Sequence, residues 1–224
     1  MKVAKFGGSS LSNATQIQKV ASIVQNDKDI KTIVVSAPGK RHDDDVKVTD
    51  MLIALHTNKV TGLDTEDALS EILRRYESII DELSIDRSLL DDFERTLRDY
   101  LTAIEDEEAL LDALKSRGED FNARLISTYF QSLGFSAKYV SPEEAGIKVT
   151  NTPANARLIP SSYDDINKLK DYPEDVLVIP GFYGISDNGN IVTFARGGSD
   201  ITGAIIVRGI RADLYENYTD ESHI

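Results

Sequence analysis

The chain has 224 residues, 41% of them hydrophobic, with 38 acidic against 25 basic side chains for a net charge of −13, and no cysteine. These figures allow one large domain or two small ones with a self-sufficient core, and they exclude a disulfide scaffold, a thiolate metal site and a cysteine nucleophile. Excess negative charge argues against gripping a nucleic-acid backbone, no apolar run reaches the ~18 residues of a membrane helix, and Met1 to Phe6 lacks a signal-peptide pattern, so a soluble cytoplasmic protein is expected.

Lys2 to Phe6 reads as a short strand running into Gly7-Gly8-Ser9-Ser10. A helix follows, capped at Ser12 or Asn13, with Ile17, Val20, Ala21 and Val24 on one face. The next strand, Lys31 to Ser36, stops at Ala37-Pro38-Gly39, and polar Lys40 to Asp45 reads as a mobile loop. Val48, Met51, Leu52 and Leu55 begin another helix. Between Asp64 and Asp120, 19 acidic and 7 basic residues hold nearly all the excess charge, while the other 167 residues balance to −1. Leu69, Ile72, Leu73, Tyr76, Ile80 and Leu83, then Leu90, Phe93, Leu97, Leu101 and Ile104, recur there at helical spacing, as in two amphipathic helices with a solvated acidic face. Leu125, Ile126, Tyr129, Phe130 and Leu133 mark a further helix ended by Gly134, and Ser136 to Val140 a strand.

Residues 141–160 read as irregular, with a short helix near Ile166 and Leu169. Val176 to Ile179 is a β-branched run suited to burial on both faces. Asp187-Asn188-Gly189-Asn190 signals a hairpin returning into Ile191 to Phe194. Arg196-Gly197-Gly198-Ser199-Asp200 opens a helix, and Ala212 to Tyr218 makes a last strand. The alternation predicts an α/β fold with a mostly parallel sheet.

Two Gly-Gly-Ser turns, one after Lys5 and one beside Arg196, stand at strand-to-helix junctions. Glycine there admits close approach of a ligand, and helix-start N–H groups suit phosphate. Neither turn has the Walker spacing or the dinucleotide fingerprint. His42, His56 and His223 have no partner pattern that suggests a metal, and no metal ligands are assigned.

These turns belong to a longer series: Lys5-Phe6-Gly7-Gly8-Ser9-Ser10, Val34-Val35-Ser36-Ala37, Gly118-Glu119 opening a helix, Arg196-Gly197-Gly198-Ser199-Asp200 and Tyr218-Thr219-Asp220. In that order, with Val48-Thr49-Asp50 also fitting, the chain resembles aspartokinases from Lys2 to Asp220. The resemblance implies the amino-acid kinase (carbamate kinase-like) fold, an eight-stranded, mostly parallel sheet between helices, and phosphoryl transfer from ATP with Mg²⁺ to the β-carboxylate of L-aspartate. It implies that Lys5 bridges the transferring group, that the amides of Gly7 and Gly8, with Ser9 beside them, cradle phosphate, and that Asp200 holds Lys5. Arg196 would clamp a substrate carboxylate and Glu119 the substrate ammonium, with Ser36 and Ser199 nearby, while Thr219 and Asp220 would lie on the ATP side. Read without the resemblance, Glu119 and Asp200 are also acids favoured in a helix's first turn, Arg196 could serve a structural ion pair, and Thr219-Asp220 could be a plain turn.

After Asp220 the chain departs from the family pattern, with Glu221-Ser222-His223-Ile224 in place of a Val-Asp/Ser-Gly type of loop. The expectation is therefore the N-terminal portion of a catalytic domain over residues 1–224, incomplete at the C-terminus, with a helical acidic segment at 64–120 and without ACT-type regulatory domains. A homo-oligomer is implied for the full-length protein. Two other readings stay open: a different amino-acid kinase, or a non-catalytic aspartate-binding fragment or subunit.

Overall fold

A computed structural model describes residues 1–219. Strands β1 (Lys2–Phe6), β2 (Ile30–Val35), β3 (Ala137–Tyr139), β5 (Val176–Pro180) and β8 (Leu214–Tyr218) form one sheet in the order β3-β5-β2-β1-β8, with every pairing parallel. The three remaining strands, β4 (Lys148–Val149), β6 (Tyr183–Ser186) and β7 (Ile191–Thr193), form a separate small sheet, β6 and β7 being the antiparallel hairpin signalled by the Asn-Gly turn. Eight strands are thus present among the described residues, but as five plus three rather than one sheet of eight. Asp220 lies outside the described residues.

Strand alternation sorts the core into two layers. Ala4, Phe6, Ile33, Val35, Val176 and Val178 face a cluster built with α1 (Ala14–Asn26), α2 (Val48–Val60), α3 (Glu66–Leu83), α4 (Ser88–Ala103) and α5 (Glu107–Ser132). Val3, Val34, Leu177 and Ile179 face the opposite cluster, with α6 (Ser162–Ile166), α7 (Gly198–Ile210) and the small sheet. This period of two is what a sheet covered on both faces requires.

Asn13 caps α1, its Oδ1 accepting from the Gln16 N–H at 2.9 Å. The acidic helices bury their apolar stripes, with Tyr76 of α3, Phe93 of α4 and Phe121 of α5 forming an aromatic cluster in which Phe93 and Phe121 stack at 4.1 Å. The main departure from expectation is α5. The sequence led to the expectation of a helix opening at Gly118-Glu119; instead a single 26-residue helix, Glu107–Ser132, runs through both positions. Gly118 stands mid-helix because α5 packs tightly there: a Cβ on it would lie 2.7 Å from the Ala37 Cβ. The expectation of a first-turn acid at Glu119 fails with the helix boundary; Asp106 caps the true start, accepting from Ala109 at 2.8 Å.

One buried carboxylate fastens α5 to both sheets. Asp120 pairs with Arg117 at 3.0 Å and Arg124 at 2.8 Å, and accepts from the hydroxyls of Tyr183, at 2.9 Å, and Tyr139. Burial alone would raise its pKa, but the two guanidiniums and the Tyr139 hydroxyl outweigh that and hold it below the usual 3.8. Its stabilising contribution is therefore complete above about pH 4 and is lost as pH falls through the depressed folded value. Replacing Asp120 by Ala leaves the buried Arg117 guanidinium uncompensated and is expected to lower unfolding stability by about 3–5 kcal/mol, read from urea denaturation at neutral pH. A loss under about 1 kcal/mol would show that Asp120 does not fasten the helix.

Candidate functional site

All parallel strands of the main sheet end on one lip, where ligands gather in open α/β sheets. Phe6 is level with Val35 on one side and Tyr218 on the other, and Val35 with Pro180, so the turns after β1, β2 and β5 emerge together beside the end of β8. The Phe6 and Tyr218 rings stack at 4.7 Å beneath this lip.

Lys5 is the register partner of Asn217, so both side chains point to the α7 face, and both reach Asp200 in the first turn of α7. Asp200 Oδ1 accepts from Lys5 Nζ at 2.8 Å and from Asn217 Nδ2 at 3.1 Å. Lys5 is only 5% exposed, while the Asp200 side chain is half exposed, so a buried cation is held by a carboxylate that faces solvent.

The first glycine turn differs from expectation in one respect. The Gly7 N–H donates to the Tyr218 carbonyl at 2.9 Å and extends the β1–β8 ladder, so it is not free for a phosphate. The N–H groups of Gly8 and Ser9 have no backbone acceptor among the described residues. Gly39 presses against this turn, its N–H donating to the Gly8 carbonyl at 2.7 Å; a Cβ on Gly39 would lie 2.6 Å from the Gly8 carbonyl carbon, so only glycine permits the contact. Nor is the stretch Lys40 to Asp45 a free loop: Arg41 grips Asp45 through Nε at 2.7 Å and Nη2 at 2.8 Å.

Between these turns lies a cavity of about 600 Å³, with Gly8, Ser9, Ser36, Lys40, Thr49 and Glu119 in its lining. Glu119 comes from the middle of α5 and is 5% exposed; the Ala37 N–H bonds to its carboxylate, but Oε2 is buried without a partner. Burial pushes its pKa from 4.5 up to about 8, against the opposing pull of the Ala37 amide, Arg117 and Lys115. One turn on, Asn122 donates to the Ser36 carbonyl at 2.8 Å and fixes the end of β2.

Arg196 and Ser199 lie apart from the cavity lining, at the start of α7. Arg196 is exposed and makes no ion pair among the described residues, so the structural-pair alternative has no support there. Ser199 packs on the turn after β5, where a Cβ on Gly181 would lie 2.7 Å from its Oγ. Thr219 is exposed beside Gly7, its Cα 3.9 Å from where a Gly7 Cβ would stand. Among the described residues, no three His, Asp or Glu side chains converge as a metal-binding group.

Sequence reasoning assigned no role to Thr49, Lys40, Asn122 or Phe182. Thr49 was visible as part of a block. Phe182 takes φ 83°, a left-handed conformation that costs a side chain on the order of 1–3 kcal/mol. Its N–H donates to Thr202 Oγ1 at 3.0 Å and its carbonyl accepts from Phe194 at 2.8 Å, which pins it against Gly198 at the foot of the second glycine turn. The lip thus offers cations, and amides without a backbone acceptor among the described residues, for anionic groups, and one buried carboxylate with an unpartnered oxygen for a cationic group. A zwitterionic acid and a phosphate chain meet both requirements.

Comparison with known proteins agrees over the whole chain. A family model described as the amino acid kinase family matches residues 1–224. Aspartokinase 3 of Bacillus subtilis is 44% identical over 224 residues, covering 98% of this chain and 48% of that protein. A crystal structure of Clostridium acetobutylicum aspartate kinase superposes with a TM-score of 0.84 at 34% identity, covering 100% of this chain and 48% of that one. Escherichia coli aspartokinase III, solved in complex with aspartate and ADP, superposes with a TM-score of 0.83 at 22% identity over 98% of this chain and 49% of its own, a likeness of fold. The chain spans about half the length of such curated relatives.

Glu119 gives the folded chain a pH signature. Its pKa is raised to about 8, so the folded state keeps a proton that the unfolded chain releases near pH ~4.3, and stability falls as pH rises between the two values. Glu119→Gln cannot ionise. Its advantage over the parent in unfolding free energy should grow by roughly 1.4 kcal/mol per pH unit across that window and level off above it, in denaturation series at stepped pH. A difference that does not vary with pH would mean that Glu119 is already ionised in the folded protein.

Proposed function

The chain belongs to the amino acid kinase family, and from that premise we propose that it transfers the γ-phosphoryl group of ATP to the β-carboxylate of L-aspartate, giving 4-phospho-L-aspartate. The product would feed the route to lysine, threonine and methionine. The observation that carries the reading is the buried Glu119 carboxylate with its free Oε2, in the same lip as Lys5 and the unpaired amides of the first glycine turn. The similarity to aspartokinases supports aspartate as the acceptor.

The acceptor carboxylate has a free pKa near ~4 and is ionised at neutral pH, so the reaction needs no general base. One carboxylate oxygen forms a bond to the γ-phosphorus while the bond from that phosphorus to the β,γ-bridging oxygen breaks, and ADP leaves with the electron pair. What the protein supplies is alignment and neutralisation of the charge on the equatorial oxygens. Lys5 is the cation for that task, oriented by Asp200, and the N–H groups of Gly8 and Ser9 are the free donors beside it. Arg196 takes the α-carboxylate in a fork, with Ser36 and Ser199 completing the acceptor side. Glu119 takes the α-ammonium, which requires the carboxylate to ionise, so aspartate binding tightens as pH rises toward about 8. Thr219 and Asp220 serve the nucleotide side. Mg²⁺ would come with the nucleotide, held largely by phosphate oxygens and water. The setting is a catalytic region of a cytoplasmic enzyme that is a homo-oligomer at full length.

The test is formation of a hydroxylamine-trapped acyl phosphate from aspartate and Mg-ATP. Lys5→Ala is expected to lower the rate by about 10²–10³-fold. Arg196→Lys should raise the KM for aspartate by about 10–100-fold, because a lysine cannot reproduce the two-point fork. Equal product from the parent and Lys5→Ala would remove the kinase reading, and aspartate binding without transfer would favour a binding module.

A further inference from the structure

One arginine of α3 turns inward. Arg75 of α3 is 4% exposed, flanked on the same face by Ile72 and Ile79 of the buried stripe. Its guanidinium reaches three stretches of chain. Nη2 donates to the Ser12 carbonyl at 2.9 Å and to the Gly39 carbonyl at 2.6 Å; Nη1 donates to Asp45 Oδ2 at 3.1 Å and to the Val46 carbonyl at 3.3 Å. Nε is buried without a partner.

These acceptors are not scattered. Ser12 closes the 3₁₀ turn that follows Gly7-Gly8, since its N–H donates to the Ser9 carbonyl. Gly39 is the residue that presses on Gly8 and donates to its carbonyl. Asp45 is the anchor that Arg41 grips to close the 40–45 stretch. The path from α3 through Arg75 to Gly39 and on to Gly8 therefore crosses both walls of the cavity, although Arg75 does not line it.

Charge is costly in such a place. An apolar side chain of the same size would fill the space without the desolvation penalty, but would leave the Ser12 and Gly39 carbonyls without these donors. Lysine could not replace it, because one compact ammonium cannot serve four acceptors spread over a planar fork. We propose that Arg75 is a positioning residue that sets the first glycine turn against the 39–46 loop in the arrangement that receives ligand, acting through backbone carbonyls and touching no ligand itself. The ligand half of this proposal rests on the function argued above; the positioning half does not.

Amide hydrogen exchange on the whole chain, as parent, Arg75→Met and Arg75→Lys, separates the two halves. The reporter is the Gly39 N–H, with the N–H groups of Leu11 and Ser12 beside it, compared with amides of β2 and β5. Arg75→Met should speed exchange at the reporters by at least about tenfold while β2 and β5 keep their protection, and Arg75→Lys should recover only part of it. Calorimetric titration with L-aspartate and with Mg-ADP should show binding weakened at least about tenfold in Arg75→Met, with ethylguanidinium restoring part of it to Arg75→Ala. Unchanged reporters, or equal loss of protection across β2 and β5, would overturn the proposal; so would parent-like affinity in a folded Arg75→Met. Should Arg75→Met not fold, the same criteria apply to Arg75→Lys. A parent that binds neither ligand would defeat the functional reading, and the exchange comparison would still decide the role of Arg75.

Discussion

The structure turns on the contact between Gly118 and Ala37. Because Gly118 has no side chain, α5 lies against the turn that ends β2, with the position of a Gly118 Cβ only 2.7 Å from the Ala37 Cβ. That approach brings the next residue, Glu119, within reach of the Ala37 N–H, and brings Asn122, one turn on, to the Ser36 carbonyl. Tyr76 of α3 donates to the Gly118 carbonyl at 2.8 Å, which ties the acidic helices to the same point. A glycine in a helix interior costs about 1 kcal/mol relative to alanine, and here the tertiary contact it permits offsets that cost.

Much of the fold was legible because its signals are local. The β-branched runs, the Asn-Gly hairpin, the cap at Asn13 and the glycine that ends α5 each act within a few residues. The failures share a physical cause. The Gly118-Glu119 block was expected to open a helix, and the packing that keeps the helix continuous through it comes from Ala37, 81 positions away in sequence. The division of eight strands into five and three could not be read from periodicity, since a strand's pattern records how its faces are buried and not which strand lies beside it. Gly7 was read as a phosphate donor because glycine turns suit that role, but its N–H is taken by the Tyr218 carbonyl across a pairing of distant strands.

The site was legible in its residue types more than in its geometry. Gly8, Ser9, Ser36 and Glu119 share the lining of one cavity, while Lys5 is held against Asp200 on the α7 side and Arg196 stands at the adjoining helix start. Arg75 leaves a trace in the sequence. It falls three residues after Ile72 and four before Ile79, on the apolar stripe where a solvated charge does not belong. An arginine at a core position of an amphipathic helix is a signal for buried acceptors elsewhere, although the sequence alone does not name them.

Along α5 the supply of donors sets one buried carboxylate apart. Three acids of this helix are buried within nine positions: Asp112, Glu119 and Asp120. Asp112 has Lys115 at 3.3 Å and accepts from the Thr193 N–H and hydroxyl and the Ala154 N–H. Asp120 has two arginines and two tyrosine hydroxyls. Glu119 alone has an oxygen with no partner, and it alone of the three lines the cavity. Arg117, two positions away, pairs with Asp120 instead, at 3.0 Å. A buried carboxylate left short of donors holds its proton, and burial raises the Glu119 pKa accordingly. A cationic group entering the cavity would supply the missing partner and draw the carboxylate into its ionised form. The uneven compensation along one helix thus separates the acids that hold the fold from the acid that is open to a ligand, a distinction that the net charge of −13 conceals.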